Sequence, residues 1–131
     1  MAETTDNPTK TMEQFRAYRE RMNERIMAAD HLGIKRFFNL DSAAYRDGAL
    51  DGRVKELLGL AASAVLRCND CIDYHLDQCV EAGWSDEELH DALNVALVVG
   101  GSIVIPHLRH AFDTIDQLRA ERAAAPAPAA E

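Results

Sequence analysis

The sequence predicts an all-α domain of about six helices. Three observations carry this reading. Apolar residues recur at spacings of three and four, alternation of period two is never sustained, and helix-capping and helix-ending signals divide the chain at intervals. The 131 residues suffice for one domain with a modest core. A composition of 47% hydrophobic and 27% charged residues is that of an ordinary globular protein.

Residues 1–10 read as a disordered lead-in, residues 11–122 as the helical domain, and residues 123–131 (AAAPAPAAE) as a disordered, low-complexity tail. From Thr11 to Ala29, Met12, Phe15, Tyr18, Met22 and Ile26 form the apolar stripe of a first amphipathic helix. A second helix is expected from about Ile34 to Arg46, with Phe37, Phe38 and Leu40, ending near Asp47-Gly48. Asp51-Gly52 opens a third, through Val54, Leu57, Leu58, Leu60, Ala61, Ala64, Val65 and Leu66. It is apolar over most of its circumference, which predicts a central position. After a break at Arg67–Asp70, a fourth helix runs to Ala82 and ends at Gly83. Ser85-Asp86-Glu87-Glu88 is a capping box for a fifth, which reaches Val99 before Gly100-Gly101. A last helix is expected from Ser102 to Arg122, with Pro106 in its first or second turn, where a missing N–H costs little.

The net charge of −8 opposes a phosphate-tracking surface, so neither nucleic acid nor an anionic membrane is an expected partner. The first 14 residues lack the apolar stretch of a signal peptide. The run Leu93–Ile105, interrupted by Asn94, Gly100, Gly101 and Ser102, is shorter than the ~20 residues a membrane helix needs. A cytoplasmic location is expected, where stable structural disulfides are rare. No phosphate-binding loop or dinucleotide glycine fingerprint occurs, so no cofactor is expected.

The chemistry concentrates in ELLGLAASAVLRCNDCIDYH, which is Glu56-x11-Cys68-x-x-Cys71-x3-His75. A Cys-x-x-Cys pair alone is a weak signal. At a helix start, with a histidine one turn on and a carboxylate upstream, it reads as a thiol–disulfide redox centre. Cys71 in the first turn would face unpaired backbone N–H groups and the positive end of the helix dipole, which favour its thiolate. His75, at i+4, shares its face and can take and return its proton. Cys68, just outside the helix, can attack an oxidised Cys71 and close a disulfide. Glu56 lies ~18 Å back along the helical path. It reaches the centre only through a steep helix crossing, a bridging water or a neighbouring subunit; otherwise it merely complements its own helix dipole.

Other residues have plainer readings. Cys79 is eight residues after Cys71, ~12 Å along a regular helix, too far to share a zinc with it. It reads as a small buried apolar residue. A three-ligand metal site from Cys68, Cys71 and His75 stays open. His107 and His110, at i and i+3 in the last helix, could pair on a metal or donate a proton, but read as solvated surface. His31 and His90 also read as surface, and Trp84 as a cap on the core after the Gly83 turn.

Glu56, Cys68, Cys71 and His75 match at every spacing the signature of the alkylhydroperoxidase D-like (AhpD-like) branch of the carboxymuconolactone decarboxylase superfamily, and AGWSDEELHDALNVALVVGG resembles that family's next turn and helix. The likeness covers roughly Asp51 to Arg119. It implies an all-α homo-oligomer, a trimer or hexamer. It further implies reduction of peroxides, with Cys71 attacking, Cys68 resolving, His75 as base and Glu56 relaying protons through water. The disulfide would be re-reduced by a dithiol, on a lipoylated or thioredoxin-like protein. One position departs: the branch's prototypes carry histidine just before the second cysteine, where this chain has Asp70. With Asp73 nearby, two carboxylates flank Cys71 and disfavour its thiolate.

Three functions therefore compete. They are a thiol peroxidase or disulfide oxidoreductase, a redox sensor or disulfide carrier with little turnover, and an oligomeric module whose cysteines hold metal.

Overall fold

The computed structural model describes residues 11–126, and among them the only regular elements are helices. They are α1 (Met12–Ala28), α2 (Leu32–Ala44), α3 (Gly52–Val65), α4 (Asn69–Glu81), α5 (Asp86–Gly100) and α6 (Ile105–Ala124), with a short 3₁₀ turn at Ser102–Val104. The six expected helices are all present. The expected disordered lead-in, residues 1–10, and the end of the expected tail, residues 127–131, lie outside the described residues. Within that tail, Ala123 and Ala124 are still helical, because alanine is the best helix former and nothing before Pro126 interrupts the ladder.

The described chain divides into two units, up to Ala44 and from Tyr45 onward. In the first, Thr11 caps α1 with a full capping box: its hydroxyl accepts the Gln14 N–H, and the Gln14 side chain returns to the Thr11 N–H. Met12 and Phe15 are buried at the start of α1, while Met22 and Ile26 are half-buried. Helix α2 starts two residues earlier than expected. His31 opens it, with Nδ1 accepting the Ile34 N–H at 3.3 Å and its carbonyl accepting the Lys35 N–H. No residue of α2 is buried, and Leu32, Phe37 and Leu40 are exposed.

In the second unit α3 is central, as its apolar circumference predicted, packing on both α4 and α5, while α4 packs on α6. The core is built from Leu60 and Ala64 of α3, Ile72, Leu76 and Val80 of α4, Leu89, Leu93 and Ala96 of α5, and Ala111, Ile115 and Leu118 of α6. Each large aliphatic side chain fully removed from water contributes about 1.5–3 kcal/mol. Capping fixes where the helices begin. Asp51 accepts the Val54 N–H, and Ser85 and Glu88 form the expected capping box of α5. Gly83, at φ +93°, ends α4 in the left-handed conformation that glycine adopts without steric cost. Trp84, next to it, latches the turn to α3 rather than simply covering the core. Its Nε1–H donates to the Arg53 carbonyl, and the Arg53 guanidinium lies 4.2 Å from its ring centroid.

Candidate active site

The α3–α4 corner is built around Cys68. At the end of α3, the Arg67 N–H donates to the Ala64 carbonyl and the Cys68 N–H to the Ser63 carbonyl, a Schellman closure. Arg67 occupies the left-handed position at φ +60°, which costs a non-glycine residue about 1–2 kcal/mol. The side chain of Cys68 is then the N-cap of α4, its Sγ accepting the Cys71 N–H at 3.2 Å. One cysteine thus ends one helix and opens the next. The break is shorter than expected, and α4 begins at Asn69. Cys68 and Cys71 are joined by a disulfide, with Cα atoms 5.3 Å apart, a separation usual for such a bond. Cys71 is exposed and Cys68 half-buried.

Glu56 needs neither a neighbour nor a water to reach His75. Its Oε1 lies 2.8 Å from Nδ1 of His75, with the two side chains only 14% and 10% exposed. Of the expected routes for Glu56, the direct contact is that of a close helix crossing, and the carboxylate does more than complement its own helix dipole. Gly59 is the reason the helices can approach so closely. A Cβ there would lie 2.6 Å from His75 Cε1 and 2.8 Å from both ring nitrogens. Gly59 is three residues after Glu56 and so on the same face of α3, which seats the ring beside the carboxylate. The carboxylate assigns the tautomer: Nδ1–H donates to Glu56, leaving Nε2 with its lone pair. The Tyr45 hydroxyl lies 3.4 Å from that Nε2, and the Tyr74 ring meets the imidazole edge-on at 5.1 Å. Neither Gly59 nor Tyr45 belongs to the four-residue signature. A glycine amid strong helix formers, one turn from Glu56, was the available signal for the first; Tyr45 had none.

The last helix contributes more than expected. His110 is not solvated: its Nε2 lies 2.8 Å from Asp73 Oδ1, with side-chain exposures of 14% and 8%. Thr114, buried, donates its hydroxyl to the same oxygen at 2.6 Å. His107 is half-buried, with Nδ1 2.8 Å from Asn69 Oδ1. Asp73 is therefore held by α6 and is not a bare charge flanking Cys71. Its hydrogen bond to His110 raises that histidine above its ordinary value. Burial opposes the rise, and the charges of Asp73, Asp113 and Asp70 add to it, so the ring stays charged further into the neutral range. His31 and His90 are exposed, and His90 stacks on Phe112 at 4.7 Å.

Cys79 is buried, and burial followed by the charge of Glu56 pushes its thiol up to about 12. With Cys68 and Cys71 bonded to each other and both His75 nitrogens engaged, these residues are not arranged as metal ligands. Among the described residues, no three His, Cys, Asp or Glu side chains are grouped to hold a metal ion. None of the described helices is long and apolar enough to cross a membrane.

The sequence profile of the carboxymuconolactone decarboxylase family matches residues 34–114, which contain all four signature residues. The chain belongs to the carboxymuconolactone decarboxylase family. A Thermotoga maritima crystal structure is 55% identical, superposes with a TM-score of 0.84 and covers 86% of this chain and 99% of its own. A second Thermotoga maritima structure, described as a protein of this family with a suggested part in the antioxidative response, is 57% identical over 83% of this chain and 92% of its own, with a TM-score of 0.80. The chain is also 41% identical, over 49 residues, to the alkyl hydroperoxide reductase AhpD of an Anaeromyxobacter species. That stretch is 37% of this chain and 26% of the relative.

The state of Cys79 is directly testable. Alkylation of the reduced, folded protein at pH 8 is expected to label Cys68 and Cys71 and to spare Cys79, whose thiol stays protonated about four pH units below its value. Mass mapping showing Cys79 modified as fast as the pair would contradict its burial.

Proposed function

We propose that this family member is a thiol-dependent peroxidase. The observation that carries the reading is a Cys68–Cys71 disulfide at the start of α4, on the helix whose His75 is held by Glu56. In the reduced protein, the exposed Cys71 thiolate attacks the distal oxygen of a hydroperoxide. The O–O bond breaks, the alkoxide leaves as an alcohol after taking a proton from the relay, and Cys71 becomes a sulfenic acid. Cys68 then attacks the Cys71 sulfur and expels water, which regenerates the disulfide. Its N-cap position suits this second step, because the N–H groups at the start of α4 favour a Cys68 thiolate. His75 is the proton carrier, Glu56 fixes its tautomer, and Tyr45 stands at its other nitrogen. A dithiol of lipoyl or thioredoxin type closes the cycle by reducing the disulfide.

One observation favours a second reading, a disulfide carrier or redox sensor with slow peroxide turnover. Asp70 is an exposed carboxylate between the two cysteines, and its charge opposes the Cys71 thiolate. Steady-state assays with hydrogen peroxide, an organic hydroperoxide and a small disulfide, each with excess dithiol, separate the two. The peroxidase reading predicts hydroperoxide consumption that falls by ~10² in His75→Gln, the scale of general-base loss. Cys68→Ser should give a single turnover, trapping Cys71 as a sulfenic or sulfinic acid. Reversible disulfide exchange without peroxide consumption would replace this reading with the carrier.

The protein is further proposed to work as a homo-oligomer of three or six subunits. On α5, Val98 and Val99 are 76% and 70% exposed, with Val95 and Ile103 exposed beside them in the chain. Burying such a strip against another copy removes it from water. Light scattering at micromolar concentration is expected to give three or six times 14.5 kDa, and a monomer would refute the assembly.

A further inference from the structure

Between Cys68 and Gln78 the fixed charges are Asp70, Asp73 and Asp77, all negative. A thiolate forming in this stretch meets like charges on its own helix, and no lysine or arginine there offsets them. Two side chains of α6 meet this stretch. His107 and His110, one turn apart, touch Asn69 and Asp73, the residues two before and two after Cys71. Asp73 is the buried member of the acidic series, and its Oδ1 receives hydrogen bonds from both His110 and Thr114.

We propose that His110 is a positioning residue of the redox centre, acting through Asp73. With Thr114, its charged ring holds and neutralises the buried carboxylate two residues from Cys71, so that the thiol ionises beside a matched pair instead of a bare negative charge. The inference rests on the reading of Cys71 as the attacking thiol. Facing His110 are Asp73 and Asp70 from α4 and Asp113 from α6, and all three favour the charged ring. From α5, His90 is stacked on Phe112. Burial works against the charge but does not overcome it. The Asp73–Thr114 hydrogen bond fixes the carboxylate whether or not the ring is protonated, so the charge of His110 is the variable part. As pH rises through the raised His110 value the ring loses its proton and the carboxylate regains its full effect on Cys71.

The test is the alkylation rate of Cys71 against pH in the reduced full-length protein, mapped separately from Cys68, in wild type, His110→Gln, Asp73→Asn and the double variant. His110→Gln keeps a hydrogen-bonding side chain and removes the charge. It is expected to raise the Cys71 thiol value by about half to one pH unit, slowing alkylation at pH 7 about threefold to tenfold. Asp73→Asn should leave it unchanged or lower it, and the double variant should return it to wild type. A structural role alone would move both single variants in the same direction and leave the double variant worst. That pattern, or an unmoved Cys71 in folded His110→Gln, overturns the proposal. If His110→Gln does not fold, the double variant carries the test, and a raised Cys71 value there overturns it. The peroxidase reading fails separately, if wild type consumes no hydroperoxide while Cys71 still responds to these substitutions as expected.

Discussion

The imidazole of His75 occupies the space in which a side chain on Gly59 would stand, and the site depends on this substitution of a ring for a Cβ. Without it, α3 and α4 could not come close enough for Glu56 to meet Nδ1 directly. The carboxylate would then lose its direct contact with the imidazole. With it, the pair is largely shielded from water, where a hydrogen bond between a carboxylate and an imidazole is stronger than at the surface. Leu60, Leu76 and Val80, buried in the α3–α4 packing, keep the two helices from relaxing apart.

Cys68 links this packing to the chemistry. Its backbone closes α3 and its side chain caps α4, so the geometry of the corner and the electrostatics of the sulfur share one residue. The helix start favours thiolates, and the acidic run that follows disfavours them. Outside the motif, His110 and Thr114 of α6 hydrogen-bond the buried carboxylate of that run, and on the proposal above they set the balance. On the proposed function, a short signature carries the reacting groups, while their hydrogen-bond partners are distributed over three helices.

Much of this was legible beforehand, for identifiable reasons. Capping chemistry is local, so Ser85, Glu88 and Gly83 marked helix ends to within a residue. The apolar circumference of α3 announced its central place, and the distance along a helix was enough to separate Cys79 from Cys71. What was not legible is what depends on helix crossing. Periodicity gives a helix its faces but not its angle to a neighbour, so Glu56 could not be brought to His75 by spacing. For the same reason His110 looked like a surface residue, since its partner Asp73 is 37 positions away. Gly59 is the instructive case. Glycine in a helix interior normally costs about 1 kcal/mol against alanine, and the close approach of the His75 ring, seen only in the structure, accounts for its presence there.

On the proposed function, close packing at Gly59 creates the proton relay of a peroxide-reducing cysteine pair. The most direct measurement is the single-turnover oxidation of the reduced protein by an organic hydroperoxide, followed against pH in wild type and Gly59→Ala. Alanine is the better helix former, so the helix itself gains. The added methyl must displace the imidazole, and the expected result is a folded protein, still able to form the Cys68–Cys71 disulfide, that is oxidised ~10²-fold more slowly. Oxidation of folded Gly59→Ala at the wild-type rate and with the wild-type pH dependence would contradict it.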